Sequence, residues 1–121
     1  MKNPVQWLEI ATTDIERAKA FYQKVFGLEF QFLDTPYAKM YFFGVPEAVG
    51  SSVSLVQSEY FKPSTDGTVV YFDCEDVAME LTRVEDAGGK IIVPKTDIGE
   101  FGFYAHILDT EGNKIGLHSR K

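Results

Sequence analysis

The same succession of predicted elements occurs twice in this sequence, and this repeat restricts the fold more than any other feature. A strand pattern over 5–11 precedes a helix pattern and three short strand-like runs. A second strand pattern over 68–74 is again followed by a helix and three strands. The two predicted N-cap residues, Asp14 and Asp76, lie 62 residues apart, which is half the chain. The sequence therefore predicts an internal duplication.

Both predicted helices have a start signal, an apolar face and a glycine stop. Asp14 and Asp76 can accept hydrogen bonds from the free N–H groups of a first helical turn. Gly27 ends the first helix and Gly88 with Gly89 ends the second, because glycine tolerates the left-handed conformation. The apolar faces, at spacings of three and four residues, are Ile15, Ala18, Tyr22, Val25 and Phe26, and then Val77, Leu81 and Val84.

The remaining apolar runs predict strands at 29–33, 39–44, 52–57, 91–93, 101–108 and 114–118. Neither half could bury both its helix and one face of its sheet, whereas two halves packed together can. We therefore predict one α+β domain over 1–121, made of module 1 at about 4–57, a linker at 58–67 and module 2 at about 68–121.

Charge and composition exclude several classes of function. The net charge is −6 and lysines and arginines do not cluster, which argues against nucleic acid as a partner. The longest apolar run, 40–45, is too short to span a bilayer, and no secretory signal is evident. The single cysteine, Cys74, cannot form an internal disulfide. We expect a cytoplasmic protein that does not bind membranes.

Three local sequences have a familiar pattern: the strand-to-helix passage 13–22 with its Phe21-Tyr22 pair, the helix end 25–28, and the turn 109–113. In this order and spacing they resemble the vicinal-oxygen-chelate superfamily, which includes glyoxalase, bleomycin-resistance and extradiol dioxygenase relatives, although Thr110 replaces the usual proline of the turn. The resemblance implies two tandem βαβββ modules that form a curved mixed sheet cup with helices on the outside. Because this superfamily contains enzymes of several classes and drug-sequestering proteins, the fold alone does not settle the function.

The resemblance also implies a divalent metal in the cup, held by His, Glu or Gln from the first, fourth, fifth and eighth strands. The matching positions here are Trp7, Ser54, Val69 and Gly116. Three of these side chains have no donor atom for a metal, and a neutral serine hydroxyl is a poor ligand. We therefore expect neither the usual metal nor another cofactor.

Strand parity predicts which other side chains share the cup. Glu9 lies on the same face as Trp7, Tyr71 on that of Val69, and His118 on that of Gly116. Glu9 and His118 are the candidate catalytic residues. The candidate ligand-binding residues are Trp7, Ser54, Val69, Tyr71, Gly116 and, from a glycine-rich hairpin or lid, Phe101.

Each candidate also has a structural interpretation. Glu9 could be hydrogen-bonded to a neighbour or lie at a solvated edge, and His118 could be an ordinary residue at a strand end. His106 differs in parity from Ala105 and Ile107, which predicts a partly exposed strand residue. A displaced metal site of Glu9, His118 and His106 is the remaining alternative.

The predicted function is metal-independent binding of a small hydrophobic or aromatic molecule. The alternative is a lyase or isomerase with Glu9 as general base, assisted by His118 or a displaced divalent metal. An interaction module without a ligand of its own ranks third, because no charged patch indicates a partner. We also expect a homodimer, since short chains of this superfamily commonly pair and two-fold association is common in general.

Overall fold

The structure is a computed structural model that describes residues 3–36, 38–44 and 50–121. The first module comprises β1 (Trp7–Thr12), α1 (Ile15–Phe26), β2 (Gln31–Asp34), β3 (Lys39–Phe43) and β4 (Ser52–Gln57). The second comprises β5 (Val70–Asp73), α2 (Val77–Val84), β6 (Lys90–Asp97), β7 (Phe103–Leu108) and β8 (Lys114–Ser119). The predicted α+β fold with a duplicated element order is confirmed.

Each module forms a mixed four-stranded sheet, and the strand order is the same in both. The first sheet has the order β1-β4-β3-β2 and the second the order β5-β8-β7-β6. The pairs β1–β4 and β5–β8 are parallel, whereas the other pairs are antiparallel. In both sheets the first strand of the module is therefore an edge strand that pairs only with the last.

The ends of α1 are fixed as the sequence predicts. The Asp14 side chain accepts a hydrogen bond from the Arg17 N–H (3.1 Å). At the other end Gly27 adopts a left-handed conformation with φ of 68°, and its N–H donates to the Gln23 carbonyl. These contacts satisfy backbone groups that a helix end would otherwise leave without partners.

α2 begins at its N-cap Asp76 and closes in a Schellman turn. The Gly89 N–H donates to the Val84 carbonyl, and the Gly88 N–H donates to the Glu85 carbonyl, both at 3.0 Å. Gly88 has φ of 98°, which only glycine adopts without strain. The prediction that the paired glycines end this helix is confirmed. No helix in the described ranges is long and apolar enough to cross a membrane.

One hydrophobic core joins the two modules. Ile10 and Leu55 come from the first sheet, Tyr22 from α1, and Ile107 and Leu117 from the second sheet. All five are less than 5% exposed, and burial of each such aliphatic side chain contributes about 1.5–3 kcal/mol. Because each sheet turns its helix-covered face to this core, its other face is left open.

The strands before and after the glycine-containing segment 99–102 differ from the prediction. β6 covers Lys90–Asp97 instead of 91–93, with register shifts on both sides of Val93. It tolerates Pro94 because it is an edge strand, where a missing N–H leaves no ladder partner unpaired. The predicted start of β7 at residue 101 is wrong by two residues, because Gly99–Phe101 forms a 3-10 turn.

Candidate functional site on the open sheet faces

The open face of the first sheet carries an exposed indole beside an unpaired carboxylate. Side chains alternate along β1, so that Ile10 is buried in the core while Trp7 is 58% exposed. Glu9 is exposed and pairs in register with Ser54 of β4, which is buried. Within the described ranges the Glu9 side chain has no hydrogen bond or ion pair. We call this surface, defined by Trp7, Glu9 and Ser54, the first open face.

The open face of the second sheet carries a cluster of aromatic and imidazole rings. Strand register places Tyr71, Gly116 and His106 in one row across β5, β8 and β7. Tyr104 and His118 face each other in the next row. We call the surface formed by these five residues the second open face.

The ring of Tyr71 lies directly over Gly116. A Cβ atom added at Gly116 would be 2.4 Å from Tyr71 Cδ2, and within 2.8 Å of two further ring atoms. No real side chain could occupy that position without displacing the ring. The outer side of the ring remains open, since Tyr71 is 51% exposed.

Tyr71 is held in this position by His106. The Tyr71 hydroxyl and His106 Nε2 share a hydrogen bond of 2.7 Å, and the two ring centroids are 5.5 Å apart. Tyr104 packs edge-on against the other side of His106, with centroids 5.2 Å apart. Burial, and then repulsion from Lys114, lower the pKa of His106 below its ordinary value of 6.5. The shift favours the neutral imidazole.

His118 and Phe101 meet through the protein backbone. His118 Nε2 donates a hydrogen bond of 2.6 Å to the Phe101 carbonyl oxygen. This bond attaches the 3-10 turn to β8 and leaves the Phe101 ring 66% exposed. The two predicted site residues are thus in contact, although His118 has one ring nitrogen engaged in holding the turn.

The structure divides the predicted site residues between the two sheets. Trp7, Glu9 and Ser54 lie on the first open face, Tyr71, Gly116 and His118 lie on the second, and Val69 is half-buried just before β5. A cleft of about 230 Å³ separates the edge strands, with Glu9 and Val70 on its two walls and Phe61 from the linker beside it.

The residues at the four metal-ligand positions do not fit a metal. Trp7, Val69 and Gly116 offer no donor atom, and the ring of Tyr71 covers the space above Gly116. No group of three His, Cys, Asp or Glu side chains in residues 3–36, 38–44 and 50–121 could hold a metal ion. In particular, Glu9 is on the first sheet, whereas His106 and His118 are on the second and bonded to other groups.

Sequence reasoning identified His106 as a partly exposed strand residue, which is confirmed, but missed its bond to Tyr71. The pairing of β7 with β8 would have indicated this bond. It places His106 opposite Gly116, and because glycine has no side chain, nothing separates His106 from Tyr71 on the other side. A second feature was also missed. An open depression of about 590 Å³ lies beside the linker and is lined in part by Thr12, Gln57 and Tyr60.

A protein-family model described as the glyoxalase/bleomycin resistance protein/dioxygenase superfamily matches residues 5–117. The putative glyoxylase CFP32 of Mycobacterium tuberculosis is 28% identical over 116 residues, covering 92% of this chain and 43% of that protein. The chain therefore spans less than half the length of this relative.

Two solved structures show the same fold. Glyoxalase I from Zea mays has a TM-score of 0.77 at 22% identity, covering 97% of this chain and 46% of that one. TnmS3, an antibiotic binding protein from Streptomyces sp. CB03234, has a TM-score of 0.69 at 22% identity, covering 99% and 98%. With the family model matching nearly all of its length, the chain belongs to the glyoxalase/bleomycin resistance protein/dioxygenase superfamily, the vicinal-oxygen-chelate proteins.

Proposed function

We propose that this chain binds a small hydrophobic or aromatic molecule on its open sheet faces without a metal. The observation that carries the proposal is the exposure of two aromatic rings where metal ligands are expected. Trp7 occupies one of these positions and is 58% exposed, and Tyr71 lies over another, Gly116, and is 51% exposed. Exposed rings of this size favour contact with an apolar partner.

The energetics favour a ligand that contacts more than one ring. An aromatic pair contributes about 0.5–1.5 kcal/mol beyond the area that it buries. A micromolar Kd corresponds to about −8 kcal/mol, so one stacking contact on one open face is far from sufficient. Both open faces, brought together around one ligand, supply the contacts that such an affinity needs. The antibiotic-binding relative TnmS3, of the same fold and nearly the same length, supports this type of function.

A homodimer is part of the proposal, because the first open face of one chain can cover the second open face of its partner, and the reverse. Light scattering during gel filtration tests this directly. We expect the mass of a dimer at micromolar concentration, and a monomer that persists with ligand present contradicts it. A cytoplasmic location is also retained, since a lone buried Cys74 suits a reducing compartment.

Thermal shift with a library of planar and amphipathic compounds, in buffer with a chelator, tests ligand binding. We expect several compounds to raise Tm, because a ligand that binds only the folded state stabilises it. Trp7→Ala should remove most of this shift. Met79→Ala is the matched control, because Met79 is equally exposed at 58% but lies on α2. Absence of any Tm increase across the library contradicts the proposal.

The competing proposal is a lyase or isomerase with Glu9 as general base. The observation that favours it is the exposed position of Glu9 without a partner in the described part of the chain. A carboxylate of this kind could abstract a proton next to a carbonyl group. Metal analysis of protein purified without chelator separates the two proposals. One divalent ion per chain, lost in Glu9→Gln, supports the enzyme and overturns the metal-free site.

A further inference from the structure

The Tyr71–His106 pair has hydrogen-bonding capacity that the fold does not use. A phenolic oxygen has one proton to donate and two lone pairs to accept with. The bond to His106 Nε2 uses only one of these three, and the Tyr71 hydroxyl makes no other hydrogen bond in the described part of the chain. The hydroxyl group is also accessible, because Tyr71 is 51% exposed.

Both tautomers of His106 leave the Tyr71 oxygen able to accept a hydrogen bond. If the tyrosine donates to Nε2, two lone pairs remain on the oxygen; if Nε2–H donates to the tyrosine, one remains. When the tyrosine donates to Nε2, its only proton is used and Tyr71 has no donor left for a ligand acceptor, which is the state that the proposal requires. An O–H or N–H group of a ligand can donate to Tyr71 in either state.

The position of the pair makes it the centre of the second open face. Tyr71 and His106 lie on either side of Gly116 in one row, and Tyr104 packs against His106. The missing side chain at Gly116 allows the Tyr71 ring to occupy the space over the strand, and the Tyr71 hydroxyl group reaches His106. The rings around the hydroxyl group offer an apolar surface to a flat molecule.

We propose that Tyr71, positioned by His106, accepts a hydrogen bond from the ligand and makes the site selective for planar aromatic molecules that carry a hydroxyl or N–H donor. The inference rests on the proposed ligand-binding function. It assigns a specificity-determining role to a residue that lies where the superfamily's metal ligand would project. His106 is a positioning residue, which holds the tyrosine hydroxyl in place and does not contact the ligand.

Two probes of nearly the same shape test this selectivity. 2-Naphthol carries a hydroxyl donor, whereas 2-methoxynaphthalene has an acceptor oxygen and no donor. Equilibrium dialysis gives the Kd of each probe for the full chain. We expect 2-naphthol to bind the unmodified protein about fivefold more tightly, which is the effect of one neutral hydrogen bond of about 1 kcal/mol.

Tyr71→Phe should remove this preference and leave the affinity for 2-methoxynaphthalene unchanged. Tyr60→Phe is the matched control, because it deletes an exposed hydroxyl group of the linker, outside both open faces, that has no hydrogen bond among the described residues. It should keep the preference. His106→Phe should reduce the preference, and in the unmodified protein the His106 ring resonances should shift on addition of 2-naphthol.

Each outcome tests either the proposed ligand binding or the role of Tyr71 in selectivity. If neither probe binds, the proposed function itself fails. If both bind equally, or if Tyr71→Phe retains the fivefold preference, ligand binding survives and the role of Tyr71 is overturned. If Tyr71→Phe changes the dimer mass and not the preference, the hydroxyl group contacts a second chain, and the inference is likewise wrong. Unchanged circular dichroism confirms that each variant is folded.

Discussion

At the scale of single residues, Gly116 and Tyr71 are complementary in shape. A glycine at this point of β8 leaves a gap in the open face, and the Tyr71 ring fills it at contact distance. A carboxylate side chain at the same position could not extend from the strand while the ring is there. A metal ligand introduced at position 116 would therefore first have to displace the Tyr71 ring.

Gly116→Ala should destabilise the protein by about 1 kcal/mol, at the low end of the cost of overpacking, because the half-exposed Tyr71 can move aside. The added methyl group would displace the ring and break its 2.7 Å bond to His106. Urea denaturation measures the change. In a Tyr71→Ala background the same substitution should cost much less, because the clash is gone. Equal costs in both backgrounds would show that Tyr71 does not occupy this space.

At the scale of the elements, each helix contributes a cation that donates to a carbonyl group at the C-terminal end of the other helix or in the turn that follows it. Arg83 of α2 donates from Nε and Nη2 to the Val25 carbonyl at 3.1 and 3.0 Å. Lys24 of α1 donates to the Asp86 carbonyl at 3.2 Å. Cations at helix C-termini also interact favourably with the helix dipole. The contact of the two modules is thus built in part from their duplicated helix ends.

Arg83→Met should lower the free energy of unfolding by about 1.5 kcal/mol, since it removes a charged group that makes two hydrogen bonds and keeps most of the apolar stem. Lys24→Met is the control. It should cost less than about 0.5 kcal/mol, because Lys24 is exposed and makes one longer bond. Chemical denaturation of both variants gives the comparison. The interpretation is contradicted if Lys24→Met costs as much as Arg83→Met.

The elements themselves were accessible from sequence, whereas contacts between residues far apart in the chain were not. Caps such as Asp14 and Gly27 act within a few residues, so local sequence predicts them. The bond between Tyr22 Oη and Asp109 spans 87 residues, and the contact of Tyr71 with His106 requires the register of three strands. No local periodicity encodes either contact. Strand parity is likewise local, and it placed Glu9 on the same face of β1 as Trp7. That Glu9 and His118 lie on separate sheets depends on strand pairing, which parity does not give.

At the scale of the whole molecule, the turn between β7 and β8 holds the two modules together. Asp109 accepts a hydrogen bond of 2.6 Å from the Tyr22 hydroxyl, and Asn113 donates to the Ala11 carbonyl at 2.8 Å. Both turn residues are buried. The turn that resembles the superfamily motif in sequence therefore connects the second module to α1 and β1 of the first. Its residues stabilise the fold and do not line the open faces.

Glu111 provides the charged part of this connection. Its side chain is fully buried and accepts from the N–H groups of Thr13 and Asp14 at 2.9 and 2.8 Å. Arg17 Nε donates to the same carboxylate at 2.8 Å. Burial opposes the charge, but the hydrogen bonds, first among them that from Arg17, outweigh it and lower the pKa of Glu111 from 4.5 to about 2.

Acid should therefore weaken the connection between the modules. Because the pKa of Glu111 is lower in the folded state, its charge stabilises the fold fully above about pH 5, and this contribution disappears as the pH falls from 4.5 towards 2. Glu111→Gln keeps an acceptor but removes the charge. Urea denaturation of both proteins between about pH 7 and pH 3 gives the difference in stability, in which the other carboxylates cancel. We expect this difference to be large at neutral pH and to shrink steadily below pH 4.5, where the carboxylate of the unfolded chain takes up its proton. A difference that stays constant over the whole range would mean that the charge of Glu111 does not hold the two modules together.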